Sequence, residues 1–119
     1  MQNQLSSKYV ELIADAYKKT NRSTIKIKVS GNSMYPTIVD GQIIDVIPIR
    51  ENINDIKKND IIVFQKFKDH FTVHRVFFCL FFSKNFRFFL TKGDNNKLLD
   101  LYLVKSKNII AIVPIEKNK

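Results

Sequence analysis

Ser33 lies in the run VSGNSMYPT, Val29 to Thr37, with Gly31 before it and Pro36 beyond, in a chain that has only three glycines and three prolines. A serine hydroxyl is a poor nucleophile until a base takes its proton, and that base must be held in one tautomer by an acceptor. The chain offers two histidines, His70 and His74, both in KDHFTVHRVFF, and at a spacing of four they share a face if the segment is a strand. Carboxylates near expected turns are Asp94, behind Gly93 in LTKGDNNKLLD where the backbone can turn sharply, and Asp100, which ends that segment. Hydroxyl, imidazole and carboxylate together are the parts of an acyl-transfer site. Residue types alone leave plainer alternatives open: a serine in a glycine-containing bend, a histidine satisfied within a sheet, and Gly-Asp-Asn-Asn as a simple turn.

The elements that must position these groups are legible from periodicity. Leu5, Tyr9, Leu12, Ile13 and Ala16 fall on one helical face that Ser6 or Ser7 can cap, so an amphipathic helix is expected to open the chain. After Asn21-Arg22-Ser23 the period becomes two, Ile25, Ile27 and Val29 alternating with Lys26 and Lys28, a half-buried strand that leads into the serine run. Further strands are expected at about 42–48, 61–67, 71–82, 86–91 and 109–115, with Ser83-Lys84-Asn85 as a hairpin turn and 50–59 as a loose segment. The expected fold is therefore mainly β: a small antiparallel domain, 25–119, preceded by the helix and lead-in of residues 1–24.

A length of 119 residues with 45% apolar composition suits one core. The longest apolar run, Val76 to Phe82, is far short of the ~20 residues of a membrane-spanning helix, and the N-terminus lacks the apolar stretch of a signal peptide. A single cysteine, Cys79, excludes an internal disulfide; no Cys/His cluster has zinc-site spacing, and no cofactor is expected. The net charge of +9 is uneven, with 9 basic and 7 acidic residues in 1–60 against 11 and 4 in 61–119. All ten phenylalanines lie in that second half, seven of them between Phe77 and Phe89 beside Lys84 and Arg87. Basic and aromatic residues together allow base stacking, contact with an anionic membrane surface, or plain strand propensity with solvated lysines. A helix-turn-helix needs more helices than ~24 residues before the first strand can supply, so specific nucleic-acid binding is not expected.

The order SGNSMYP, VDGQ, KNDIIVF, VHRV, LTKGDNN and a following aspartate resembles the signal peptidase and LexA-like serine peptidases over roughly residues 28–113. It is most similar to the endoplasmic-reticulum type of signal peptidase, whose base is a histidine where related families place lysine. The interval from Ser30 to Ser33 is one residue longer than in the signal peptidase form SGSM and looks like the LexA-like GDSM. The resemblance implies Ser33 as nucleophile, His74 as base, Asp100 as the carboxylate that orients it, and Asp94 as a supporting acid. Ser30, Asn32 and Met34 are the candidates for contact with substrate or oxyanion. Gly31 is then expected to bend the chain, Met34 to fill the core beneath Ser33, and Pro36 to end strand pairing.

Three functions are in contention. The first is a serine endopeptidase that removes a leader or signal segment from a precursor peptide or protein. The second is a LexA-like self-cleaving regulator or its remnant, although neither an Ala-Gly nor a Cys-Gly bond occurs in the chain. The third is a catalytically silent module that binds peptides as an added strand. The expected location is cytoplasmic or peripheral to a membrane, with Phe77–Phe89 as a membrane or partner surface.

Overall fold

The computed structural model describes residues 4–5, 24–49, 51–68, 70–83 and 86–114. Among the described residues, eight strands form an antiparallel sheet: β1 (Gln4–Leu5), β2 (Ile25–Lys28), β3 (Ile43–Pro48), β4 (Ile61–Phe67), β5 (His70–Ser83), β6 (Phe86–Lys92), β7 (Leu103–Lys105) and β8 (Ile109–Val113). Their order is β2-β3-β8-β4-β5-β6-β7, and β1 pairs with the start of β5 where β6 does not reach. The mainly β fold is as the sequence leads one to expect. Leu5, the first position of the expected helix face, lies in β1; the rest of that helix falls outside the described residues, as does most of the Ser83–Asn85 turn.

Alternation explains the strands. In β2 the isoleucines are buried and the lysines exposed, and Ile27 pairs with Ile44 while Lys26 pairs with Asp45. In β4 the consecutive Ile62, Val63 and Phe64 are all buried, because this strand is covered on both faces. Val63, Val73 and Ala111 join a cluster with Ile27, Val29, Met34 and Val46. Ile62 and Phe64 join the second cluster, with Ile56, Val76, Phe89 and Val104. Among the described residues, the first cluster takes none from β6 or β7.

Two expectations need correction. The segment 51–59 is not loose: a 3₁₀ turn, Glu51–Asp55, is followed by buried Ile56, and Arg87 of β6 donates to the carbonyls of Ile53 and Ile56 at 3.0 and 2.9 Å. A buried guanidinium needs such acceptors. The second correction is β7, which was not foreseen because three residues are too few to display a period.

Candidate active site

Ser33 sits in the loop that joins β2 to β3. The loop closes on itself where Val29 N–H donates to Gln42 O at 2.9 Å and Gly41 N–H donates to Val29 O at 2.7 Å. Gly31 and Gly41 have φ of 93° and 83°, a region that favours glycine, and Gly31 N–H donates to Asp40 Oδ1 at 2.8 Å. Met34 is fully buried in the first core cluster, as expected, and its backbone carbonyl accepts from Ile38 N–H at 2.9 Å. Anchored by its neighbour, Ser33 is itself 1% exposed. Ser30 and Asn32 are exposed on the same loop.

His74 comes from the middle of β5, paired with Ile62 of β4, and is 0% exposed. Its Nε2 lies 3.2 Å from Ser33 Oγ, and its Nδ1 lies 2.6 Å from Asp100 Oδ2. Phe64 meets the imidazole edge-on, with 6.3 Å between ring centroids. Burial pushes the Asp100 carboxyl up, but hydrogen bonds from His74, Thr91 and Tyr102 outweigh it and hold the group below the ordinary carboxylate range. Asp100 is thus ionised and can only accept, so Nδ1 carries the proton and Nε2 turns its lone pair to the Ser33 hydroxyl. His70 of the same strand is exposed and packs on Phe67 at the sheet's end, so the structure separates the two histidines.

Asp100 is fixed by β6. Thr91 Oγ1 donates to Asp100 Oδ2 at 2.6 Å, and Asp100 N–H donates to Thr91 O at 2.9 Å. Thr91 is fully buried and was not singled out from the sequence, since one threonine in a strand carries no signal. Arg75, next to His74, was also overlooked. Its Nε and Nη2 donate to the two oxygens of Asp94, each at 2.8 Å, and Nη1 donates to Asn59 O at 2.8 Å. Thr37 of the serine loop donates to Asp94 Oδ2 at 2.5 Å. For Asp94 too, burial raises the pKa, yet the bonds from Arg75 and Thr37 win and it lies below the ordinary range. Asp94 therefore ties the serine loop to β5 and stays apart from the His74 contacts.

The turn expected behind Gly93 is present, closed where Asn96 N–H donates to Gly93 O at 2.9 Å, and Gly93 is required for space as well. A Cβ there would lie 2.7 Å from Ser33 O, 2.7 Å from Asn96 Nδ2 and 3.1 Å from His74 Nε2. The 93–100 segment packs directly on the serine: Asn95 N–H donates to Ser33 O at 2.8 Å, and Asn95 Nδ2 donates to Asn32 O at 3.1 Å. A cleft of about 550 Å³ adjoins the Arg75–Asp94–Thr37 group, lined among others by Ile38, Ile43, Ile44 and Val113. Ser33 and His74 themselves do not line it.

A mainly β domain that sets a buried serine against an imidazole backed by a carboxylate has the arrangement of the serine peptidase class. The chain belongs to the Peptidase S24-like family, which it matches over residues 1–113. That family points to a serine peptidase or a LexA-like self-cleaving protein, and includes inactive members. No curated protein matched the chain. Among the described residues, no helix is long and apolar enough to cross a membrane.

Proposed function

We propose that this protein is a serine endopeptidase that cleaves a leader or signal segment from a precursor, with a histidine base in place of the lysine of related families. The observation that carries the reading is the alignment of Ser33, His74 and Asp100, at 3.2 and 2.6 Å, around an imidazole that Asp100 holds in the required tautomer. Ser33 Oγ attacks the scissile carbonyl carbon as its proton passes to His74 Nε2. Asp100 stabilises the imidazolium, which then protonates the departing amine. Water, deprotonated by the same nitrogen, hydrolyses the Ser33 ester and restores the hydroxyl. Backbone N–H groups around Ser33 are the donors for the oxyanion, an interaction whose loss costs about 10²–10³ in rate. Ser30 and Asn32, exposed beside Ser33, are the proposed substrate contacts. The cleft beside Thr37 and Arg75, lined by polar and apolar residues alike, is the proposed place for the rest of a polypeptide substrate.

The test is incubation of purified protein with precursor peptides encoded beside its gene, with the products read by mass spectrometry. The wild type is expected to cut at one bond, and Ser33→Ala to leave the peptides intact while keeping the same melting temperature. Cleavage by Ser33→Ala, with contaminating peptidases excluded, moves the nucleophile elsewhere. A cut within the enzyme itself, at a rate independent of its concentration, selects the self-cleaving alternative.

A further inference from the structure

We infer that Asn95 is a positioning residue that aims the N–H groups of Ser33 and Met34 at the oxyanion of the cleavage reaction. The inference rests on the peptidase reading above and adds to it the group that fixes the donors. Asn95 lies between β6 and β7 and holds both carbonyls that flank the serine. Its Nδ2 donates to Asn32 O at 3.1 Å, and its backbone N–H donates to Ser33 O at 2.8 Å. The peptides on either side of Ser33 are trans, and in a trans peptide the N–H points opposite to the C=O of the same plane. The Asn32 carbonyl shares its plane with Ser33 N–H, and the Ser33 carbonyl shares its plane with Met34 N–H. With both carbonyls turned to Asn95, both N–H groups turn away from it.

Met34 supplies a second, independent observation. It is fully buried, its carbonyl accepts from Ile38 N–H and its sulfur from Asp94 N–H, yet among the described residues its own N–H has no acceptor. Buried backbone N–H groups are nearly always paired. The oxygen on the carbon that Ser33 Oγ attacks, one residue away, is an acceptor of the right charge. Serine hydrolases draw oxyanion donors from these same two places, the nucleophile's own N–H and that of the residue after it. The base stands on the other side: a Cβ on Gly93 would lie 2.7 Å from Ser33 O and 3.1 Å from His74 Nε2, so imidazole and Ser33 carbonyl share the flank that Asn95 holds. Tyr35 N–H also donates to Asn32 O, at 3.1 Å, so losing the Asn95 side chain loosens that plane without freeing it. Asn95 is itself exposed, and truncating it leaves both core clusters intact.

The test uses the full chain, the precursor peptide that the wild type cuts, and a peptide aldehyde with that precursor's residues up to the cut bond. Ser33 Oγ adds to the aldehyde carbon, its proton passes to His74 Nε2, and the C=O electron pair moves onto the oxygen, which takes the place of the oxyanion. Asn95→Ala is expected to lower kcat about five- to tenfold, to leave KM within about twofold, and to weaken the aldehyde by the same factor as kcat. Asn95→Asp, equal in size but with an acceptor facing Asn32 O, is expected to lose more than Asn95→Ala. Should Asn95→Ala melt early, aldehyde affinity and KM still decide, because unfolding removes active molecules without altering either constant. Both variants within about twofold of the wild type, a rise in KM at unchanged kcat, or a fall in kcat with aldehyde affinity unchanged overturns the inference and leaves the peptidase reading standing. A wild type that shows no Ser33-dependent cleavage overturns that reading and this inference with it.

Discussion

Asp94 and Asp100 stand six residues apart in one segment, and the contrast between their surroundings separates chemistry from scaffolding. Each is held below its ordinary pKa by hydrogen bonds that outweigh burial, and each accepts from a threonine, Thr37 for Asp94 and Thr91 for Asp100. The difference lies in the nitrogen partner. Asp94 faces the guanidinium of Arg75, whose pKa is raised by that bond, so the group keeps its proton throughout the working range. Asp100 faces an imidazole, which can gain and lose one. The same carboxylate chemistry therefore gives a fixed brace at one position and a proton-handling partner at the other.

The sharpest way to break this comparison is to remove the partner that can change its charge. His74→Ala is expected to abolish cleavage, and Asp100→Asn to lower kcat by about 10³–10⁴, because an amide presents no fixed acceptor for Nδ1–H. His70→Ala is expected to stay within about twofold, as a surface change outside the site. Peptide cleavage followed under single-turnover conditions checks all three, and a His70 variant more impaired than the His74 variant reverses the assignment of the base.

Thr91→Val keeps the shape of the side chain and removes only its hydrogen bond to Asp100. We expect kcat to fall about tenfold with KM unchanged, and Thr91→Ser to recover most of it, since the lost bond orients a group that acts through His74. Full activity in Thr91→Val with a loss in Thr91→Ser would mean that the methyl packing matters and the hydroxyl does not.

Asp94→Asn carries the smallest expected effect on cleavage and a clear one on stability. Losing the paired bonds to Arg75, a partly exposed pair, is expected to cost about 1–2 kcal/mol at neutral pH, with kcat changed less than a few-fold. The pH dependence follows from the depressed pKa: the stabilisation is complete above the unfolded carboxyl value, about 3.9, and is lost as pH falls through the lower folded value. Thermal unfolding of wild type and Asp94→Asn at several pH values checks this. The gap in melting temperature is expected to hold from neutrality down to about pH 5 and to narrow below about pH 4. A gap that stays constant to strongly acid pH would show that the charge of Asp94 contributes nothing.

The sequence by itself determined the strands that alternate, the glycine-bounded serine loop, and the residue types available for acyl transfer. Each follows from local physics: period-two burial in Ile25–Lys28, positive φ at Gly31, and the nucleophile's need for a base. It left His70 and His74 on one face of a strand, and could not show that Thr91 holds Asp100, that Arg75 holds Asp94, or that Gly93 is small to admit Ser33 and His74. Those facts arise between residues far apart in the chain, and only strand order and register bring them together. A run of phenylalanines states that much apolar surface exists, but strand register decides which of them enter a core: it sets Phe89 with Cys79 and Val104 in the second cluster and Phe78 on the other side of the sheet.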